Sequence, residues 1–265
     1  MSASIRTRTL ARGRIRIRRV VAVAAVLPVL ALAAACSSDG GKSDDAKKKD
    51  GVTTSPAVPS TAAPTAAAKP PLTEAQLRAV LVKDADLPGY KVEASTSASM
   101  SADDKLTTDK PQCQPLADPV GTKPKYVRKA YAGASVAKKD ALGSGAEVHR
   151  MLLASHAPGD AGKMMAELKR ALDTCTAFIA TAGTGKKIPF TITKAATVTA
   201  GDEAVSYVMA DTSDKVAGAA LVTVVRSGDD SITFLSAKLT GGQAAAPVDV
   251  ARKQDAKLKA ATAGS

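Results

Sequence analysis

The 265-residue chain has no tryptophan, three phenylalanines, four tyrosines, two histidines and three cysteines. Each scarcity excludes something. Proteins that hold single-stranded nucleic acid stack bases on aromatic platforms, and seven scattered rings supply none. Zinc sites draw three or four ligands from close pairs. His149 and His156 have no Cys or Glu cluster beside them, so no metal and no cofactor is expected. A G-x-S-x-G elbow is missing, as is an S-x-x-K with partner motifs. No catalytic residue is nominated, and the chain reads as a non-enzyme.

Acid is missing in one place. Residues 1–19 carry Arg6, Arg8, Arg12, Arg14, Arg16, Arg18 and Arg19 and no carboxylate, and the apolar run VVAVAAVLPVLALAAAC follows over 20–36. A basic start, an apolar middle and small residues at the end form the layout of a secretory signal. The run is interrupted by Pro28 and falls short of the ~20 residues a spanning helix needs. Ala33-Ala34-Ala35-Cys36 resembles the lipobox of bacterial lipoproteins, although Leu32 stands four residues before the cysteine where that family prefers three. The resemblance implies lipidation at Cys36, attachment to the membrane through the lipid, and display on the extracytoplasmic face of the cell membrane. Removing the signal takes seven of the 37 basic residues, leaving 30 against 25 acidic. The formal +12 thus becomes +5, a solubility-sized excess that gives no reason to expect nucleic acid.

Residues 37–71 hold almost no large apolar side chain and are rich in Ser, Asp, Lys, Ala, Thr and Pro, the composition of a solvated spacer. The expected organisation is a signal peptide over 1–35, the lipidated cysteine and tether over 36–71, and one domain over 72–265. Cys113 and Cys175 are the remaining cysteines, and in an oxidising compartment two cysteines most simply form one disulfide. Two free thiols, with Cys175 a small core residue, is the competing possibility.

Leu72-Thr73-Glu74-Ala75-Gln76 opens a helix, with Thr73 and Gln76 at capping-box spacing. Asp86-Leu87-Pro88-Gly89-Tyr90 ends it in a turn, and Lys91–Ser95 reads as a short strand. Residues 96–125 read as a long loop, followed by strands near Tyr126–Val136 and Ala146–Ser155 about a Gly143-Ser144-Gly145 turn. Asp160 then caps a helix whose apolar stripe runs Met164, Met165, Leu168, Ala171, Leu172, Cys175, Phe178 and Ile179. Ile188–Thr199, Glu203–Asp211, Val216–Arg226 and Ser231–Leu239 form a four-strand meander with short polar links, and Pro247 to Ala261 is a last helix. Runs of strands beside segregated helices give an α+β class: an antiparallel sheet of about six strands with helices packed on it.

Thr181–Lys187 lacks the glycine offset and the hydroxyl of a phosphate-binding loop and reads as an ordinary loop. Asp103-Asp104 and Asp229-Asp230 are turn residues. Lys123, Lys125, Arg128 and Lys129, interleaved with Tyr126 and Tyr131, form the most suggestive surface segment. It is either an edge strand guarded by cations or a basic contact patch for an anionic polymer or a protein.

Residues 72–260 resemble the extracellular sensor domains of PknH-type actinobacterial Ser/Thr kinases and their stand-alone lipoprotein relatives. The resemblance rests on Leu81-x-x-x-x-Asp86-Leu87-Pro88-Gly89-Tyr90, on Cys113-x-Pro115-Leu116, on Leu172-x-x-Cys175 and on Gly201-Asp202-Glu203-Ala204. It implies an α+β fold with an antiparallel sheet and a groove for a small ligand. The family's kinase domains carry two disulfides, whereas Cys113 and Cys175 can form one, and no kinase is attached here. The function expected is a membrane-anchored, non-catalytic, sensor-like ligand-binding domain. The alternative is an envelope interaction protein that binds a partner or anionic wall polymer through the basic face. A lipid carrier built as a hollow half-barrel ranks third, because Ala-rich strands promise too small an apolar lining. An apolar groove lined by Phe, Met and Leu would favour the first; a flat face of Lys and Arg would favour the second.

Overall fold

The computed structural model of the protein describes residues 69–95, 105–139, 147–214 and 219–263. Cys36, the Gly143–Gly145 turn and the Asp103-Asp104 pair lie outside them.

The chain opens with α1 (Glu74–Val80), where Thr73 and Gln76 form the expected capping box. Gly89, at φ +85°, turns the chain into β1 (Tyr90–Ser95). Then come β2 (Leu106–Thr108), a 3-10 turn at Pro111–Cys113, and the short α2 (Gln114–Ala117). β3 (Ala130–Lys138) and β4 (Glu147–Ser155) precede α3 (Asp160–Thr174). After it, β5 (Ala177–Ala182), β6 (Lys187–Lys194), β7 (Glu203–Asp211), β8 (Ala219–Ser227) and β9 (Asp230–Lys238) form a continuous meander. α4 (Val248–Ala263) closes the chain. The strands make one antiparallel sheet in the order β1-β3-β4-β9-β8-β7-β6-β5-β2.

The class is α+β, and the sheet holds nine strands, not about six. One gain comes from the expected helix, which ends at Thr174; Phe178 and Ile179 belong to β5. Phe178 and Ala180 are buried while Ile179 is exposed, the alternation of a half-buried strand. The helical spacing runs on only because Cys175 and Phe178 happen to continue the i, i+3 series, with no Gly or Pro to punctuate it. Asp160 is the first helical residue and not the cap; Gly159 at φ +80° holds that position and its amide donates to Asp229 Oδ1 at 2.7 Å. The 96–125 loop contains β2 and α2, and the strand expected from Tyr126 begins only at Ala130.

Two cores form on opposite faces of the sheet. On one, α1 and α4 lie over β3, β4, β9 and part of β8. Leu77, Leu81, Val250 and Leu258 pack there on Val136, Met151, Leu153, Val225, Ile232 and Phe234. Gln254 is fully buried between the two helices, accepting from the Val82 amide at 2.9 Å and donating to the Val80 carbonyl at 3.0 Å, so a polar side chain is satisfied in the core. Asp86 of the Asp-Leu-Pro-Gly-Tyr turn accepts from the Lys83 amide and pairs with Lys257 of α4, while Leu87 is buried beneath it.

On the other face, α2 and α3 cover β5 to β8. Met165, Leu168 and Leu116 pack on Phe178, Ile192, Val205, Tyr207, Val222 and Val224. Cys113 and Cys175 are bonded inside this core, Cα atoms 5.7 Å apart, tying the α2 segment to the end of α3. The Tyr207 hydroxyl donates to the Leu116 carbonyl at 2.6 Å, and burial pushes its ionisation far above the usual phenol range.

Candidate functional site

Helix α3 does not cover the whole of its face. Beyond it lies a cleft of about 390 Å³, within the ~300–1,000 Å³ range of small-molecule sites. The lining comes from all nine strands and the loop after α2: Ser95, Leu106, Pro119, Val120, Tyr131–Ala134, Arg150–Leu152, Ala182, Ile188, Phe190, Met209, Ala220, Thr233 and Leu235, with Arg78 of α1. A flat nine-stranded sheet would be about 38 Å wide at ~4.8 Å per strand. One cleft touched by both edge strands, at Ser95 and Leu106, requires the sheet to curl strongly.

The hollow has a simple origin in the sequence. Registered pairs on this face are Ser95 with Gly133, Gly133 with Leu152, and Leu152 with Thr233; Met209 faces Ala220 one strand pair over. Small side chains alternate with long apolar ones, so the floor lies low between walls. Gly133 matters here: a Cβ would come within 3.2 Å of the Met151 carbonyl and 3.5 Å of Ser95 Cβ. The space exists because Ser95, Gly133 and Ala220 interrupt this face and no helix among the described residues fills the gap between Leu152, Leu235, Met209 and Phe190.

One cation enters this lining unpaired. Arg150 is exposed on β4, in register with Ser135 of β3 and Leu235 of β9, and makes no ion pair among the described residues. Arg78, in contrast, is held by Glu74 at 2.7 Å. None of the described residues that line the cleft is acidic.

The basic segment does not form a patch. Arg128 is drawn inward, its guanidinium donating to the carbonyls of Gly121 at 2.8 Å, Pro119 at 3.0 Å and Asp118 at 3.2 Å. Burial lowers its pKa to about 10, so it stays charged and serves to hold the loop after α2. Lys125 pairs with Glu167 of α3 at 2.6 Å, with the Tyr126 hydroxyl donating to the same carboxylate at 2.8 Å. The hydrogen bond from Lys125 holds Glu167 below the usual carboxylate range and raises Lys125 in turn. Lys123 and Lys129 remain exposed. Four cations close in sequence thus divide into one half-buried clamp, one ion pair and two solvated side chains.

The histidines are buried in polar pairs. His149 Nδ1 meets Ser236 Oγ at 2.8 Å, and His156 Nε2 meets Ser231 Oγ at 2.9 Å. The second pair has the spacing of a nucleophile and its base. His156 and Ser231 are nevertheless only 1% and 4% exposed. His156 Nδ1 has no hydrogen-bond partner among the described residues, so the ring lacks there the orienting group a triad needs. Burial, with Arg128 nearby, lowers the His156 pKa to about 4, which keeps the ring neutral. Among the described residues no group of three His, Cys, Asp or Glu could hold a metal ion, and no helix is long and apolar enough to cross a membrane.

The Gly201-Asp202-Glu203-Ala204 stretch is structural. Gly201 has φ +70°, and a Cβ there would lie 2.2 Å from the Arg226 carbonyl oxygen, so only glycine fits. Asp202 and Glu203 grip Arg226 at 3.0 and 2.6 Å, and Glu203 also pairs with Lys169 of α3.

The residues therefore define an α+β domain with a closed, doubly helix-covered core and an open apolar cleft. Neither a protein-family profile nor a curated protein sequence matches the chain. Among solved structures, it is similar to the extracellular domain of PknH from Mycobacterium tuberculosis, at 14% identity and TM-score 0.45, covering 73% of this chain and 98% of that one. It is also similar to an uncharacterized protein from Mycobacterium smegmatis, at 14% identity and TM-score 0.29, covering 71% and 93%.

Proposed function

We propose that the protein is a lipid-anchored extracytoplasmic lipoprotein, held at Cys36 and spaced by residues 37–71. Its domain over 72–265 is a non-catalytic binding module, and the cleft over the open sheet face is the ligand site. The observation that carries this reading is the lining itself. Leu106, Leu152, Phe190, Met209 and Leu235 surround a concavity that no helix among the described residues fills. Leaving such a surface uncovered is unfavourable by roughly 25 cal/mol per Å² of apolar area, so a persistent apolar hollow points to a ligand. The anchor is supported by the basic start, the apolar run of 20–36 and the small-residue approach to Cys36.

The alternative use of a basic face loses its main support, because Arg128 is spent on carbonyls and Lys125 on Glu167. A thermal melt of the mature chain tests the binding reading. Ligand at a hundredfold over Kd adds about 2.7 kcal/mol, so an envelope-derived small-molecule fraction should raise the melting temperature by several degrees while undergoing no turnover. Saturable hydrolysis of an ester, peptide or glycan would place the protein among enzymes instead.

A further inference from the structure

The nature of the ligand can be read from charge placement, on the reading that the cleft is the binding site. We propose that the cleft takes a single-chain amphiphile with a carboxylate head, the head pairing with Arg150 and the hydrocarbon lying over Leu152, Leu235, Met209 and Phe190.

Arg150 stands mid-strand on β4, between β3 and β9, where a long cation is costly to place unless solvent or an anion meets it. On the same face its register neighbours are Ser135 and Leu235, neither of which can neutralise it. Glu93, two strands away across Ser135, shares the face but makes no ion pair with it. The other lining arginine is already held by Glu74. Among the described residues, an apolar pocket with one unpaired guanidinium and no acidic lining residue complements a molecule that is apolar along its length and anionic at one end. The planar fork of arginine matches a carboxylate through two parallel hydrogen bonds. A cationic or dianionic ligand would find, respectively, repulsion or a missing second partner.

The size agrees. About 390 Å³ accepts one chain of moderate length and not the paired chains of a membrane phospholipid. Gly133 and Ala220, on the cleft side of β3 and β8, keep the floor low enough for that chain to lie along the strands.

The test uses the mature chain with Cys36→Ser, which retains every described residue and needs no detergent to compete with the probe. Titration calorimetry, with the protein titrated into dilute probe, compares dodecanoate and dodecyltrimethylammonium below their micelle concentrations with dodecanol below its solubility limit. Dodecanoate should bind at least about tenfold more tightly than dodecanol, the usual worth of a charge-assisted hydrogen bond, and the cation should not bind. Arg150→Gln should remove that tenfold advantage and leave dodecanol unchanged, with an unaltered melting temperature showing that the fold is intact. Arg150→Glu should turn the preference toward dodecyltrimethylammonium. Leu152→Trp, which fills the cleft, should abolish binding of all probes. Equal affinity for dodecanoate and dodecanol, or an Arg150→Gln variant that binds dodecanoate like the wild type, overturns the carboxylate assignment while the cleft stands. Failure of every probe, or binding unaffected by Leu152→Trp, overturns the cleft reading itself.

Discussion

The two faces of this sheet are built from the same strands and solve different problems. On the face under α1 and α4, β3, β4 and β9 present Val136, Met151, Leu153, Ile232 and Phe234, and two helices seal them. On the opposite face the same strands present Gly133, Arg150, Leu152, Thr233 and Leu235, and no helix among the described residues covers them. Neighbouring residues thus do opposite work: Phe234 is fully buried, whereas Leu235 lines a cleft. Alternation along a strand lets one segment contribute to stability on one side and to recognition on the other.

The difference can be broken most severely at Gly201, which belongs to the closed side's wiring. Gly201→Ala forces a Cβ against the Arg226 carbonyl at φ +70° and should cost at least about 4 kcal/mol of the ~5–15 kcal/mol that holds a typical domain, read as a strongly lowered urea midpoint. Removing the bond between Cys113 and Cys175, 62 residues apart, should cost about 4 kcal/mol by loop-closure entropy. Urea melts of a Cys113→Ala, Cys175→Ala double variant measure it. Two reactive thiols in the denatured wild-type protein, with stability unaffected by reductant, would refute the bond.

Acid offers a third probe. Burial lowers His149 and carries His156 down to about 4, so the unfolded chain takes up protons that the folded one refuses. Stability should be whole above pH ~6.5 and fall as pH drops toward ~4, by about 3 kcal/mol from His156 at 1.36 kcal/mol per pH unit. Asp230, raised by burial, works in the opposite direction once it becomes protonated. A His156→Gln variant should flatten the slope across that window in denaturant melts collected at a series of pH values. The smallest effect belongs to the open face. Arg150→Gln removes no ion pair among the described residues and should change stability by no more than about 0.5 kcal/mol, checked in the same melts.

The elements with local signatures were legible in the sequence. The Thr73–Gln76 box, the β7 boundaries and the last helix all follow from capping, alternation and turn chemistry. What escaped had none: β2 spans only three residues, and β5 follows α3 with no breaker while its apolar residues continue the helical count. The cleft escaped for another reason. Ala-rich strands promise too little apolar surface when taken one at a time. Once nine strands curl together, small residues are what open a space between larger ones. The basic segment misled because sequence proximity cannot show that Arg128 turns inward to carbonyls of its own loop. Arg150, with nothing beside it in sequence to single it out, became visible only when register placed it on the uncovered face.

The central claim is that the open face holds a ligand in the cell, and native mass spectrometry of protein extracted from its own membranes tests it most directly. A bound species of small-molecule mass is expected on the wild-type domain and should be lost from a folded Leu152→Trp variant. Wild type and variant carrying identical masses, with nothing attached or the same adduct on both, would contradict it.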